Sequence, residues 1–534
     1  MKLSLLLAAF AVCSTAWAHS LDHSNLCCTS IMVGKKASAD GSVITSHTCD
    51  SWYRTWMDIV PAKDYPNDTI MSIYEGRMHT EWVGDSTKLR KRGVIPQARH
   101  TYKFLDTAYP CLNEKQLGIG ETTFTGRDTL RNSKGMFMIE ELSRVALQRC
   151  ATAREAITLM GSLIKEYGYG DSGECLTIAD KNEVWIMEIQ GEGPDKIGGV
   201  WAAIRIPDDE VAVSANISRI GRINLKDKDN CMASENVFEV AKCLGLWDGK
   251  EEFLFWKAYS GGNYLKEPKN YSVREHFILS QLAPSLNLSD TVTALPLSVK
   301  PDKKVSAQDV MVLLKSYYEG TSKDITATLK VPNPKKKATD PSTDSLPDSI
   351  VSPLANPWLR PDEIALYNAL GDTTMKAIRP VAVTWCAYST VIQLRSWLPD
   401  EIGGVAWISL DNPGESPRFP VFCGGTQLPE MLKICGNHRD RDDSALWHFR
   451  KTNKLATVRW GEDRIMIEDA QRYFRDKGAR ELPWLEKSYI SMAKEDSDKA
   501  TEILNGYTAD FLAAEIVKWD AMQRTLWHKY WKGF

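Results

Sequence analysis

"NLCCTSIMVGKKASADGSVITSHTCDSW", residues 25–52, places two adjacent cysteines ahead of two apolar segments separated by a polar turn. From Cys28 to Val33, and again from Gly41 to Thr48, the chain is rich in Thr, Ser, Ile and Val. With "GKKASADG" between them, these segments predict two strands joined by a turn. Cys28 then opens the first strand. A cysteine there is either a packed or disulfide-bonded residue, a strained Cys27–Cys28 bridge included, or a nucleophile.

The residues before it bear on that choice. "MKLSLLLAAFAVCSTAWAHS" (1–20) has Lys2, an apolar run from Leu3 to Val12 and Ala-Trp-Ala at 16–18. That is the pattern of a secretory signal cleaved after Ala18. Val12 is too bulky for the small residue that a lipoprotein cysteine at position 13 requires. No later stretch approaches the ~20 consecutive apolar residues of a membrane span. The expectation is a secreted or periplasmic protein.

The 534 residues carry 66 basic and 69 acidic side chains, a net charge of -3, which gives no global attraction to nucleic acid or an anionic membrane. "NPKKKA" (333–338) lies in a polar stretch and reads as a solvated loop. Twelve cysteines in an exported chain invite disulfides. Their dispersal, with no C-x-x-C and no clustering with histidine, argues against a framework or a zinc site.

Further along, helices are expected at about 136–150 and 153–167, the second introduced by a Thr152/Glu155 capping box. Strands are expected at 183–189, 200–206, 210–216, 381–394 and 403–410, and a capped helix at 306–320. Residues 331–355 read as an internal loop. The tail, 486–534, reads as helical, with its Trp and Tyr serving as packing surface.

A nucleophilic cysteine usually borrows a histidine as base, and none of the nine histidines is paired with one by spacing. The alternative is a cysteine that becomes the first residue of the mature chain. Its own α-amine, titrating at about 7.7–8.0 in model peptides, can then accept the thiol proton.

"CTSIMVGKKASADGSVI" resembles the opening of the N-terminal-nucleophile cysteine dipeptidases, the dipeptidase A and secernin-like family. "PCLNEKQLGIGETT" (110–123), "GECLTIADKNEVWIMEI" (173–189), "EVAVSANISRIG" (210–221), "PLSVKPDKKVSAQDVM" (296–311) and "WLPDEIGGVAWI" (397–408) are similar to further segments of that family. The resemblance implies an α+β fold, the αββα sandwich of two stacked antiparallel sheets between helical layers. This would span 28–485, followed by a helical C-terminal extension.

It also implies that removal of a propeptide, 19–27, exposes Cys28 as the nucleophile. Asp50 falls where related hydrolases hold an aspartate near the α-amine, although an Asp there also starts turns. Asn113 and Asn216 are candidates to stabilise the oxyanion, and asparagine at such positions is also a common turn former. His47 stands where relatives carry an arginine beside the nucleophile, and a strand histidine is often only a core residue. Arg274, in "YSVREHF", is the candidate to supply the missing charge.

The implied activity is hydrolysis of dipeptides through a thioester on Cys28, with no metal or organic cofactor and with oligomeric state left open. The alternatives are an amidase of the same architecture acting on N-acyl amino acids, bile-salt-like conjugates or acyl lactams, and a non-catalytic secernin-like interaction protein.

Overall fold

Strands Ser30–Val33 and Val43–Cys49 form where the β-branched runs predict them and lie side by side inside a seven-stranded antiparallel sheet. The computed structural model describes residues 28–261, 269–371, 375–435 and 439–533. The expected signal peptide, 1–18, and propeptide, 19–27, lie outside the described residues. The sheet runs Ser298–Val299, Val211–Ser214, Ser30–Val33, Val43–Cys49, Tyr388–Leu394, Gly404–Leu410, Phe419–Phe422. A second antiparallel sheet of eight strands runs from Cys231–Ala233 through Val200–Ile206, Val184–Gln190, Gly173–Ala179, Gly118–Thr125, Leu112–Asn113 and Phe104–Asp106 to Asp58–Val60.

The two sheets meet through hydroxyls as well as apolar side chains. Thr45 Oγ1 lies 2.7 Å from Thr177 Oγ1, and Thr122 Oγ1 lies 2.6 Å from Ser214 Oγ. Gly120 marks the closest approach: a Cβ there would stand 2.3 Å from the Ser46 carbonyl oxygen, so only glycine lets the sheets come this near. Strands covered on both faces need not alternate, which is why "VWIMEIQ" (184–190) is buried throughout.

Helices Ile139–Arg149 and Ala153–Tyr167 cover the eight-stranded sheet. The Thr152/Glu155 capping box is formed as the sequence predicts. Helices Val273–Leu282 and Ala307–Leu314 cover the other sheet together with Ala445–Thr457, Trp460–Ala493 and Ser497–Lys529. The result is the α+β sandwich with two central antiparallel sheets and a C-terminal helical region.

Several boundaries differ from expectation. The 485/486 border falls inside Trp460–Ala493, because Leu482 and Leu485 are buried in one cluster with Val405, Trp407 and Phe422 of the sheet. The C-terminal helices are therefore a layer of the sandwich. Phe511 and Trp519 are buried, while Trp484, Trp527 and Trp531 are exposed, so only part of the aromatic content is packing surface. Residues 381–387 are irregular, buried except at Thr384 and Trp385, and the strand starts at Tyr388. The 331–355 loop folds back as a hairpin, Lys330–Pro332 against Ser349–Val351.

Among the described residues every cysteine, Cys28 included, is a free thiol, and no helix is long and apolar enough to cross a membrane.

One ion cluster ties helix to sheet. Asp106 Oδ1 accepts from Arg54 Nη2 and Arg144 Nη2, each at 2.6 Å, all three residues being buried. Burial alone would raise this carboxyl, but Arg144 and Arg54 hold it down at about 2. The folded value lies below the ordinary 3.8, so the stabilisation is present above pH ~4 and is lost as pH falls through about 2. Asp106→Asn would leave the buried Arg54 guanidinium without a counter-charge and Arg144 with only Glu141 Oε1, 3.7 Å away. It is expected to cost ~3–5 kcal/mol at neutral pH, read by denaturant unfolding, with a smaller deficit near pH 2.

Candidate active site

The backbone at Cys28 is held from two sides. Thr29 N–H donates to Thr48 Oγ1 at 2.9 Å, and the Thr48 N–H returns to the Thr29 carbonyl at 3.0 Å. The Thr48 hydroxyl then donates to Asp50 Oδ2 (2.8 Å), which also accepts from Arg379 Nη2 (2.6 Å). From the opposite side, the first turn of Val273–Leu282 delivers Arg274. Its Nη1 donates to the Cys28 carbonyl (2.6 Å) and Thr29 Oγ1 (2.9 Å). Its Nη2 donates to the Ala215 carbonyl (3.0 Å) and Asn216 Oδ1 (2.9 Å).

Asn216 sits in the left-handed region, φ 67°, one that asparagine tolerates better than most residues, and its Nδ2 donates to the Thr123 carbonyl at 2.6 Å. Ser272 and Glu275 cap the helix, and Glu275 Oε1 also accepts the Ala215 N–H at 2.7 Å. One guanidinium thus locks together the head of the strand that Cys28 opens and the turn that follows Val211–Ser214.

The side chain of Cys28 faces a different field. Burial, and then Glu121, Asp50 and Cys49, push its thiol well above the ordinary cysteine range. The backbone N–H of Asp50 acts against them. Arg274 touches the main chain of Cys28, so it positions the residue. The sulfur is a protonated thiol that needs a base before it can attack.

Glu121, from Gly118–Thr125, is the other group at the sulfur. Cys28 Sγ, a ring nitrogen of His47 and a Glu121 carboxylate oxygen all lie within 4.8 Å of one another, and all three residues are buried. His47 Nε2 is 3.4 Å from Glu121 Oε2, but the alignment makes no hydrogen bond. Tyr109 and Tyr388 box the imidazole edge-on at 5.3 and 6.0 Å. Glu174 and Asp171 extend the acidic lining. Burial and then Glu121 push the Glu174 carboxyl well up, and burial raises Asp171.

Residues 27–473 match the family described as peptidase family C69. The chain belongs to that family. A probable dipeptidase of Latilactobacillus sakei is 26% identical over 428 residues, covering 76% of this chain and 76% of its own. A probable dipeptidase of Salmonella dublin is 27% identical over 412 residues, 75% and 81% of the two chains. A probable dipeptidase B of Streptococcus pyogenes serotype M1 is 24% identical and spans 95% of this chain and 91% of its own.

In this C69 chain the structure brings five of the six expected residues together: Cys28, His47, Asp50, Asn216 and Arg274. Asn113 is a correction. Its Nδ2 spends both hydrogens on the Leu147 and Cys150 carbonyls, each at 2.8 Å, and its Oδ1 accepts from the Lys115 and Leu117 N–H groups. It has no hydrogen left for an oxyanion and serves to join a turn to helix Ile139–Arg149. Glu121 is the residue that sequence reading missed. Its signal was a carboxylate inside the "GIGETT" run, which is otherwise small, apolar or hydroxylic and predicts a buried strand.

A cleft of about 440 Å³ opens between Ala153–Tyr167 and Val200–Ile206, but it shares no residue with the Cys28 group.

Proposed function

We propose that the protein is an exported cysteine dipeptidase whose nucleophile is Cys28, exposed as the N-terminal residue by removal of residues 1–27. The observation that carries the reading is the buried Glu121 carboxylate within 4.8 Å of the Cys28 sulfur. In a dipeptide the α-ammonium is attached one carbon from the scissile carbonyl, so a sulfur in attacking position and a carboxylate beside it hold both ends of that unit. An N-acyl amino acid brings no cation there and would leave Glu121 buried without a counter-charge, which disfavours the amidase alternative. The names of the three relatives agree with dipeptides as substrates.

The freed α-amine takes the Cys28 proton and sulfur adds to the carbonyl, forming a tetrahedral oxyanion. Asn216 Nδ2, which spends one hydrogen on Thr123, has a second to donate to that oxygen. The α-ammonium then protonates the departing amine and the C–N bond breaks, leaving a thioester. Water, deprotonated by the same amine, releases the acyl residue. Arg274 keeps the Cys28 carbonyl fixed through these steps, and Asp50 orients the amine. Export rests on the Lys2, apolar and Ala-Trp-Ala pattern at the start of the chain, and recovery of the protein outside the cytoplasm tests it.

Substrate panels test the central point. N-acetylation of a good dipeptide is expected to lower kcat/KM by at least about 10²-fold, through loss of a buried charge pair. Equal or faster hydrolysis of the acetylated compound would overturn the reading in favour of the amidase.

The two asparagines separate by the same logic. Asn216→Ala is expected to lower kcat by about 10²–10³ with a small change in KM. Asn113→Ala is expected to strand two buried carbonyls and cost ~1–3 kcal/mol of stability, with kcat of the folded enzyme unchanged.

A further inference from the structure

Cys28, His47 and Glu121 also converge in a way that peptide hydrolysis does not require. Nitrogen and oxygen ligands about 2.0–2.1 Å from a tetrahedral Zn²⁺ are separated by about 3.3–3.4 Å, and a thiolate at about 2.3 Å lies about 3.6 Å from each. His47 Nε2 and Glu121 Oε2 are 3.4 Å apart, and Cys28 Sγ lies within 4.8 Å of a ring nitrogen of His47 and a carboxylate oxygen of Glu121.

The same two atoms are short of partners. His47 Nε2 is buried without a hydrogen bond, and no N–H or hydroxyl reaches Glu121 Oε2. Both side chains are 1% exposed. Charge completes the fit. A thiolate and a carboxylate neutralise a dication.

We propose that Cys28, His47 and Glu121 form a buried site for one tetrahedral, thiophilic divalent cation of the Zn²⁺ type, and that the bound ion holds the enzyme inactive. The sulfur and imidazole select against Mg²⁺ and Ca²⁺, which require oxygen ligands. On binding, the Cys28 S–H proton leaves to solvent as the metal–sulfur bond forms, and water fills the fourth position. The ion occupies both the nucleophile and the carboxylate assigned to the substrate ammonium, so it competes with a dipeptide. No electron is transferred, and a chelator reverses the block.

Metal-free protein titrated with Co²⁺ tests the site by a readout independent of activity. The expected result is one Co²⁺ per chain with the intense visible bands of tetrahedral coordination, a thiolate-to-cobalt charge-transfer band, and displacement by Zn²⁺. Cys28→Ala, which removes a single atom from the site, is expected to abolish the charge-transfer band. Glu121→Gln and His47→Ala are expected to weaken binding by at least about 10²-fold, since even groups that merely orient a ligand cost about 10–100-fold. Circular dichroism confirms that each variant is folded, and Cys28→Ala alone decides the matter should the others fail to fold. A Co²⁺ complex without a thiolate band, unaltered affinity in folded Cys28→Ala, or no binding by the wild-type protein would each overturn the proposal.

Discussion

Cys28→Ala is expected to lower kcat towards dipeptides by about 10⁴–10⁶, the scale seen when the nucleophile of a hydrolytic enzyme is deleted. The fold should survive. Cys28 is 4% exposed, and the clamp around it runs through its carbonyl and through Thr29, Thr48 and Arg274, none of which uses the sulfur. A loss of one sulfur atom from a buried site costs roughly 1 kcal/mol, well inside the range that leaves a domain folded. Steady-state hydrolysis and thermal unfolding on the same preparation separate chemistry from stability. Activity within tenfold of wild type would remove Cys28 from the mechanism and restore the reading of a packed structural cysteine.

Glu121→Gln carries the second large effect. The substitution keeps the shape and the acceptor oxygen that Thr123 Oγ1 reaches at 3.2 Å, and removes only the charge. If that charge holds the ammonium of the substrate, kcat/KM for free dipeptides should fall by about 10²–10³, since breaking a buried charge pair costs ~2–5 kcal/mol. Hydrolysis of N-acetylated dipeptides should change little, so the preference for a free amine should collapse. A uniform loss on both substrate types would assign Glu121 to the fold instead.

How much of this was legible in the sequence depended on where the information lay. The opening strands, the Thr152/Glu155 cap and the buried runs at 184–190 and 404–410 were readable, because β-branched content and capping chemistry are local. Cys28 stood out by its place just beyond the export pattern, whereas His47 and Asp50 were reached through family resemblance. Asn216 and Arg274 were reached in the same way, and the contact between them spans 58 positions.

Asn113 was misassigned for the opposite reason. Its partners, Leu147 and Cys150, come from a helix whose docking no local pattern reveals. Glu121 escaped notice because an acidic residue in a strand is ordinarily solvent-facing. Only tertiary packing, which sets His47 and Glu174 beside it, makes it a buried charge. The 485/486 border failed because a helical tail and a helical layer have the same periodicity, and burial against Val405 and Trp407 is tertiary information.

The intact mass and N-terminal residue of catalytically active protein test the account most directly. The account predicts a mature chain that begins at Cys28, with mass lowered by residues 1–27, and predicts that Cys28→Ala retains residues immediately before position 28. A fully active enzyme that still carries Cys27 or any earlier residue would contradict it. The α-amine of Cys28 would then be tied up in a peptide bond and unable to act as the base.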